Sequence, residues 1–259
     1  MKRSYLFAVI LVLVLPILAV ADDRDIAALY AKHDIEGAII IASLNGEVEF
    51  VHNKERAKRR FLPASTFKIL NTLIALEAGV VRDEREIINW DGSDRGWAPW
   101  NKDQTLDTAF SLSCVWCYQK FAKRIGNEQY VKYLTGLGYG NKKTGGDVTT
   151  FWLEGELSIS AREQIQFLRK LYNEQIPFKK RNILLLKKIM LVDKTPTYTL
   201  SAKTGWANRI ENQHGWYVGY VEAKGKVWLF ANNIRVNIKS DLAFRKTLVI
   251  ESLKIKGII

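Results

Sequence analysis

A serine and a lysine with the spacing of a nucleophile and its base occur in the segment Pro63-Ala64-Ser65-Thr66-Phe67-Lys68. Three positions separate Ser65 from Lys68, so in a helix both side chains lie on the same face. A serine hydroxyl is a poor nucleophile until a base takes its proton, and lysine is a base only when burial or modification keeps its nitrogen from being charged. Free N–H groups at a helix start would also suit an anion developing on a substrate. An exposed capping serine beside a solvated lysine is the alternative interpretation, because S-x-x-K alone is a weak signal.

A second motif, Lys203-Thr204-Gly205, lies near the end of the chain after a run with strand composition. Gly205 has no Cβ, so a ligand can approach the backbone closely, and Lys203 and Thr204 offer donors to an anion. This motif alone is also weak. A helical S-x-x-K followed by a K-T-G on a strand is, however, typical of serine β-lactamases and penicillin-binding proteins. The ordered pair therefore outweighs the chance interpretation of either motif.

Helical spacing dominates the middle of the chain. Pro63 suits the first turn of a helix that ends at Gly79, because its missing N–H would have no helical partner there. Ser160 with Glu163 forms a capping box in front of another helix. Further helices are predicted at residues 26–32, 107–124, 183–191 and 240–254, and an ordered loop with three tryptophans at residues 90–101.

Strand patterns stand at both ends of the chain. Asn45-Gly46 separates two apolar runs and predicts a hairpin. Three further strands are predicted at residues 198–203, 216–222 and 227–233, where branched and aromatic residues are enriched. The predicted fold class is therefore α/β (α+β). One antiparallel sheet, built from both chain ends, is flanked by terminal helices, and a helical lobe is inserted at about residues 60–195.

The first 21 residues have the pattern of a secretory signal. Two basic residues precede an apolar run from Leu6 to Leu18, and small residues lead to Ala21. The run is shorter than the roughly 20 residues that a spanning helix needs. We therefore expect cleavage after Ala21, a periplasmic protein without a stable membrane anchor, and one catalytic domain over residues 22–259. An uncleaved anchor is the alternative.

Composition excludes several classes of protein. The chain has 259 residues, 47% apolar and 25% charged, which rules out disorder, collagen and coiled coil. Three histidines leave little room for a histidine metal site or a Ser-His-Asp triad, so no metal is expected. The formal charge of +12 is spread along the chain, and an exported protein rarely meets nucleic acid, so no nucleic-acid partner is expected. A non-enzymatic basic protein that coats an anionic envelope is a further hypothesis.

From about Ala57 to Leu253 the sequence resembles the class D (OXA-type) serine β-lactamases. Arg245, in the last predicted helix, matches the arginine that binds the substrate carboxylate in that family. Y-G-N in place of the S-D-N of class A makes the assignment to class D specific. The family motifs are S-T-F-K at residues 65–68, S-x-V at Ser113-Cys114-Val115, Y-G-N at Tyr139-Gly140-Asn141, F-W-L at Phe151-Trp152-Leu153 and K-T-G at residues 203–205.

The resemblance implies a transpeptidase-like domain that hydrolyses the β-lactam amide of penicillin-type antibiotics through an acyl-Ser65 intermediate. Lys68, carboxylated on Nζ by CO₂ or bicarbonate, would be the general base, and no other cofactor would be needed. The indole N–H of Trp152 would hold the carbamate. Ser113 and Lys203 would relay a proton to the leaving nitrogen.

The resemblance also implies a set of substrate-binding residues: Val115, Tyr139, Asn141, Leu153, Thr204, Gly205, Trp206 and Arg245. The N–H groups of Ser65 and Trp206 would form an oxyanion hole, and Thr204 and Arg245 would hold the carboxylate. Three alternatives remain: Trp152 as core, the Y-G-N segment as a simple turn, and Arg245 paired with an acid on its own helix. A small-molecule β-lactam is the expected partner, and the chain is expected to be a monomer or homodimer.

Two features depart from the family pattern. Cys114 and Cys117 form C-V-W-C, a spacing found in redox-active and metal-binding sites. Because the segment is predicted to be mid-helix, small buried thiols are the preferred interpretation, with a strained disulfide as the alternative. Thr149 stands where carbapenem-hydrolysing relatives often have an acid, whereas Arg209 resembles that branch, so the evidence on substrate range conflicts. A β-lactam sensor or penicillin-binding protein that is acylated without turnover is the alternative function.

Overall fold

The protein is described by a computed structural model over residues 23–259. The expected signal sequence and its cleavage after Ala21 lie outside these residues. Within them, no helix has the length and apolar character required to cross a membrane.

The helices alternate with strands at both ends of the chain and follow one another in its middle. The α-helices are α1 (Arg24–Lys32), α2 (Lys54–Lys58), α3 (Lys68–Glu77), α4 (Leu106–Ser111), α5 (Val115–Ile125), α6 (Asn127–Leu137), α7 (Ala161–Tyr172), α8 (Lys180–Ile189) and α9 (Phe244–Ile255). Short 3₁₀ helices span Ala64–Phe67, Ala98–Trp100 and Lys239–Ala243.

A six-stranded antiparallel sheet forms the centre of the fold. The strands are β1 (Gly37–Ser43), β2 (Glu49–His52), β3 (Ile87–Ile88), β4 (Gln104–Thr105), β5 (Leu191–Lys194), β6 (Tyr198–Ala207), β7 (His214–Ala223) and β8 (Lys226–Arg235). The large sheet has the order β2-β1-β8-β7-β6-β5, and β3 pairs with β4 apart from it. The N-terminal hairpin thus joins the C-terminal strands, which confirms the predicted sheet built from both chain ends.

Both faces of the sheet are buried. Along β1, Ile39 and Ile41 face one cluster with α1 and α9, whereas Ile40 faces a second cluster with the helical lobe. Because successive side chains of a strand point to opposite faces, a strand covered on both sides reads as a continuous apolar run. The fold class predicted from the sequence is therefore confirmed: terminal helices cover one face, and the inserted helices cover the other.

The predicted helix over residues 107–124 is wrong as a single element. The chain leaves α4 after Ser111 and starts α5 at Val115, with Cys114 as the N-cap. Apolar spacing continues across this break, so periodicity alone does not reveal it. The helix after Pro63 begins with a 3₁₀ turn at Ala64–Phe67.

The sequence pattern does not predict strand β5, because all four of its residues are exposed and give no alternating apolar signal.

Strand β6, which carries the K-T-G motif, approaches β7 closely at a glycine of β7. Gly219 lies opposite Ala202. A Cβ at position 219 would lie 2.1 Å from the carbonyl oxygen of Ser201 and 2.7 Å from the Cα of Ala202. Only glycine therefore fits at this position.

We expect Gly219→Ala to lower the free energy of unfolding by roughly 1–3 kcal/mol or more, because the new methyl group meets backbone that cannot move aside. The matched control is Gly136→Ala in α6, where nothing outside the neighbouring turns of the helix backbone lies within 4 Å of the new Cβ. Its helical alanine should raise that free energy by roughly 0.5–1 kcal/mol. Urea unfolding measures both changes, and equal effects would contradict the close approach of β6 and β7.

Candidate active site

Ser65 lies in the 3₁₀ turn that leads into α3, and Lys68 is the first residue of that helix. Lys68 Nζ donates a hydrogen bond of 3.1 Å to Ser65 Oγ. Lys68 is fully buried. Burial lowers the pKa of Lys68 from 10.5 to about 7, and the positive charge of Arg209 acts in the same direction. A large fraction of this amine is therefore neutral near neutral pH and can accept the serine proton.

An aromatic ring lies against the amine of Lys68. Its Nζ lies 4.9 Å from the centroid of the Tyr118 ring, and the Tyr118 hydroxyl is hydrogen-bonded to Thr72 at 2.6 Å. The preceding residue, Phe67, lies 5.8 Å from the Trp152 ring, measured between ring centroids. Burial of the amine is the largest cause of its low pKa.

Trp152 is fully buried, yet its indole Nε1–H has no acceptor among residues 23–259. Leaving a buried donor unpaired costs on the order of 1–3 kcal/mol. The carbonyl of Trp152 accepts a 2.9 Å hydrogen bond from the N–H of Ala64, the residue before Ser65. The backbone of Trp152 is therefore tied to the turn that carries Ser65, and its indole is a buried donor without a partner in the described residues.

Ser113 occupies a left-handed turn at the end of α4, with φ of +55°. Its N–H bonds the carbonyl of Phe110 at 3.1 Å, and the N–H of Cys114 bonds that of Ala109 at 2.9 Å. This pair of bonds is the Schellman motif, in which glycine usually holds the left-handed position. A serine there places its hydroxyl against Lys203 Nζ, which donates to it.

Lys203 is almost completely buried on β6. Burial holds the pKa of Lys203 well below its usual range, and the positive charges of Lys68, Arg245 and Lys246 lower it further. Nζ also donates to the carbonyl of Thr204 at 3.1 Å. Lys203 and Ser113 therefore form a second amine–hydroxyl pair, parallel in chemistry to Lys68 and Ser65.

Gly205 lets β6 pack directly on the serine turn. A Cβ at this position would lie 3.0 Å from the carbonyl oxygen of Pro63 and 3.1 Å from Thr66 Cγ2. Thr66 is itself fixed, since its hydroxyl donates to Pro63 and accepts from Gln164. The K-T-G strand and the S-x-x-K turn thus meet backbone to backbone.

Arg245 reaches the site from α9. It donates from Nε to the carbonyl of Leu242 and from Nη1 to that of Gly205, both at 2.8 Å. Gly215 makes room for its stem, because a Cβ there would lie 2.6 Å from Arg245 Cδ. Burial lowers the pKa of Arg245 to about 10. No carboxylate among the described residues pairs with Arg245, so the alternative of an acid on its own helix is wrong.

These residues surround a cleft of about 520 Å³, a volume usual for small-molecule sites. It brings together most of the positions expected from the sequence, and Lys68, Trp152 and Lys203 lie buried next to it. The cleft is lined by Ser65, Trp97, Trp100, Ser113, Val115, Leu153, Thr204, Gly205, Trp206, Asn208, Arg209 and Arg245.

Sequence comparisons give relatives along most of the chain. The profile of the penicillin binding protein transpeptidase domain matches residues 36–251. β-Lactamase OXA-48 of Klebsiella pneumoniae is 43% identical over 230 residues, covering 89% of this chain and 87% of that protein. β-Lactamase OXA-2 of Salmonella typhimurium is 40% identical over 226 residues, covering 86% and 81%.

Solved structures give the same family. The class D β-lactamase YbXI from Nostoc superposes with a TM-score of 0.89 at 40% identity, covering 90% of this chain and 99% of that one. FUS-1 (OXA-85) of Fusobacterium nucleatum subsp. polymorphum gives 0.89 at 35% identity, covering 92% and 100%. The chain belongs to the class D β-lactamases. It is therefore a hydrolase that acts on β-lactams.

Two of the expected substrate-binding residues of this class D enzyme do not line its cleft. Tyr139 is 2% exposed and packs its ring on Phe67 and Phe167. Asn141 donates from Nδ2 to the carbonyl of Glu156 at 2.7 Å and accepts the N–H of Ser158. This corrects the expectation of substrate contact: both side chains hold the Y-G-N turn against its neighbours.

Sequence reasoning missed the aromatic rim of the cleft. Trp97 is 46% exposed, and its ring centroid lies 5.4 Å from that of Trp100. Both belong to the tryptophan-rich loop, whose unusual composition was the available signal. Arg209 also lines the cleft and pairs with Glu154 at 3.0 Å.

The preferred interpretation of Cys114 and Cys117 as free thiols is wrong. The two residues form a disulfide, and both are fully buried. The physical reason is the break between α4 and α5. It makes Cys114 the N-cap of α5 and so directs its sulfur towards Cys117 in the first turn.

The left-handed turn at Ser113 is tested with Ser113→Gly and Ser113→Ala. Both variants lose the hydroxyl, but only glycine adopts this backbone conformation without a steric cost. We expect the free energy of unfolding of the glycine variant to be about 1 kcal/mol higher than that of the alanine variant. Urea unfolding of the two proteins measures the difference. An alanine variant at least as stable as the glycine variant would contradict the geometry.

Proposed function

We propose that this class D enzyme hydrolyses the β-lactam amide of penicillin-type antibiotics through an acyl-Ser65 intermediate. The observation that carries the proposal is the fully buried Lys68, whose Nζ lies 3.1 Å from Ser65 Oγ beside the cleft. We further propose that the chain is exported, cleaved after Ala21 and active in the periplasm as a monomer or homodimer.

Acylation begins when the base carried by Lys68 takes the Ser65 proton and Oγ attacks the ring carbonyl. The backbone N–H groups of Ser65 and Trp206 donate to the oxygen that becomes negative. The ring C–N bond then breaks, and the leaving nitrogen receives a proton from the Ser113–Lys203 pair, which is supported by the contact between their side chains. Because its pKa is well below that of a solvated lysine, Lys203 gives up a proton more readily.

Arg245 and Thr204 hold the substrate carboxylate. Two of the guanidinium donors of Arg245 are used by carbonyl groups, which fix the side chain without neutralising its charge. The charge therefore remains available to an anionic substrate. Val115 and Leu153 supply apolar walls that exclude water from the reacting bond.

Carboxylation of Lys68 by CO₂ fits the residues that are present. A neutral buried amine can form an N–C bond with CO₂ and release a proton, and the unpaired Nε1–H of Trp152 offers the carbamate a donor. When formed, this carbamate supplies the base for the serine proton and for the water that cleaves the acyl-enzyme. Apart from CO₂ or bicarbonate, the proposal uses no cofactor.

Replacement of the nucleophile tests the acyl-enzyme. Ser65→Ala removes the only atom proposed to form a covalent bond with the substrate, so nitrocefin turnover should fall to background while the fold is kept. Mass spectrometry of the unmodified enzyme after brief exposure to a penicillin should show a transient adduct on Ser65. Turnover by the Ser65→Ala variant would contradict the mechanism, and a persistent adduct on the unmodified enzyme would favour a sensor or penicillin-binding protein.

The pH dependence tests the base. Lys68 becomes an ammonium group as the pH falls through about 7, and an ammonium cannot accept the serine proton or bind CO₂. We expect activity to decline on the acid side of that pH and added bicarbonate to restore part of it. An activity profile that is flat from about pH 5 to 8 and indifferent to bicarbonate would contradict the proposal.

Trp152→Phe keeps an aromatic ring but removes the unpaired donor. The variant should therefore need more bicarbonate than the unmodified enzyme to reach half of its maximal rate. Trp216→Phe is the matched control, because Trp216 is also fully buried but its Nε1–H is already bonded to the Leu62 carbonyl at 2.9 Å. An equal shift in both variants would exclude a specific role for Trp152.

A further inference from the structure

The Cys114–Cys117 disulfide lies directly beside the catalytic turn at Ser113, and the proposed reaction does not use it. We propose that this disulfide is a positioning element, which holds the left-handed turn at Ser113 so that its hydroxyl stays against Lys203. The inference rests on the proposed proton relay through Ser113.

The left-handed turn at Ser113 needs support from its surroundings, because its backbone conformation is unfavourable for serine. A residue with a Cβ is disfavoured at the φ of +55° that Ser113 adopts. Cys114, the next residue, completes the Schellman motif of α4 through its bond to Ala109 and is at the same time the N-cap of α5. Any movement of Cys114 relative to α5 therefore moves the Ser113 hydroxyl as well.

The partner of Cys114 belongs to a firmly anchored turn. Trp116 donates from Nε1 to the carbonyl of Trp100 at 3.0 Å. Tyr118 is fully buried and bonded to Thr72. Cys117 lies between these two anchors and is itself fully buried. The disulfide thus ties the left-handed turn to the anchored first turn of α5.

The bridge is suited to local positioning because it spans a sequence separation of only three residues. The stabilisation that a disulfide gives by restricting the unfolded chain grows with the length of the loop that it closes. A bridge this short contributes least to global stability. The bridge directly fixes the orientation of Cys114. It thereby also fixes the neighbouring residues Ser113 and Val115.

Burial separates this bridge from the reactive C-x-x-C of oxidoreductases. Thiol–disulfide exchange requires a thiolate to reach one of the two sulfurs. Cys114 and Cys117 are both 0% exposed, so an external thiol has no path to either while the protein is folded. The C-V-W-C motif of this enzyme is therefore assigned to positioning and not to redox chemistry.

The central experiment uses the variant Cys114→Ser/Cys117→Ala. Serine is a preferred N-cap residue, so the start of α5 keeps a capping oxygen while the covalent tie is lost. We expect the acylation rate constant with nitrocefin, measured by stopped flow and normalised to titrated active sites, to fall roughly tenfold or more. Normalisation removes any change in the fraction of folded protein. An unchanged rate constant would overturn the proposal.

A double-mutant cycle separates positioning from a general structural role. In a Ser113→Ala background the hydroxyl is already absent, so the same cysteine changes should cause little further loss. An equal fold-loss with and without the Ser113 hydroxyl would overturn the proposal. Cys117→Ala alone, which keeps the Cys114 sulfur at the N-cap, is the second variant should the double replacement not fold, and the same loss is expected of it.

Thiol titration tests the bridge itself. The unmodified protein, denatured without reductant, should show no free thiol. After reduction it should show two free thiols. Two thiols before reduction would overturn the proposal. Failure of the proposed function is recognised separately, because the unmodified enzyme would then form no adduct on Ser65.

Discussion

Burial of two lysines without an acidic partner is the constraint on which this active site depends. Desolvation is the largest influence on Lys68 and on Lys203, and every charge that perturbs them is positive. Removal from water disfavours the charged form of an amine, and no carboxylate in the described part of the chain restores it. Both nitrogens are consequently available for proton transfer at a pH where a solvated lysine would be inert.

The same constraint explains the chemistry of the cleft. Arg245 and Arg209 add positive charge near the two amines, and each is held in place, the first by carbonyl groups and the second by Glu154. Positive charge in the cleft attracts an anionic substrate and stabilises the negative charge that develops during the reaction. Because the charges are fixed before the substrate arrives, little reorganisation is needed when that charge forms.

The active site also requires segments that are distant in sequence to approach one another closely, and the backbone geometry makes this possible. Ala64 and Ser113 both adopt left-handed conformations next to or within the catalytic set, with φ of +48° and +55°. Such conformations cost on the order of 1–3 kcal/mol and persist only where the surroundings enforce them. Gly205 and Gly219 let β6 press against the serine turn on one side and β7 on the other. Catalytic side chains from distant segments are thereby brought within hydrogen-bond reach.

The sequence by itself determined the sheet built from both chain ends, the hairpin at Asn45-Gly46, the capping box at Ser160 and the association of S-x-x-K with K-T-G. The hairpin and the capping box follow from local patterns whose physics acts over a few residues, whereas the motif pair was recognised as a family signature. The resemblance named most of the residues that line the cleft, and the tertiary structure decided the exceptions. Tyr139 and Asn141 belong to a family motif, but their side chains contact neighbouring segments and not the cleft. Trp97 lines the cleft from a loop. Cys114 forms a disulfide with Cys117 because the backbone turns between α4 and α5, although the apolar spacing of the sequence continues across that point. The burial of a side chain, the interruption of a helix and contacts between distant residues all depend on how the whole chain packs. A short stretch of sequence therefore cannot predict them.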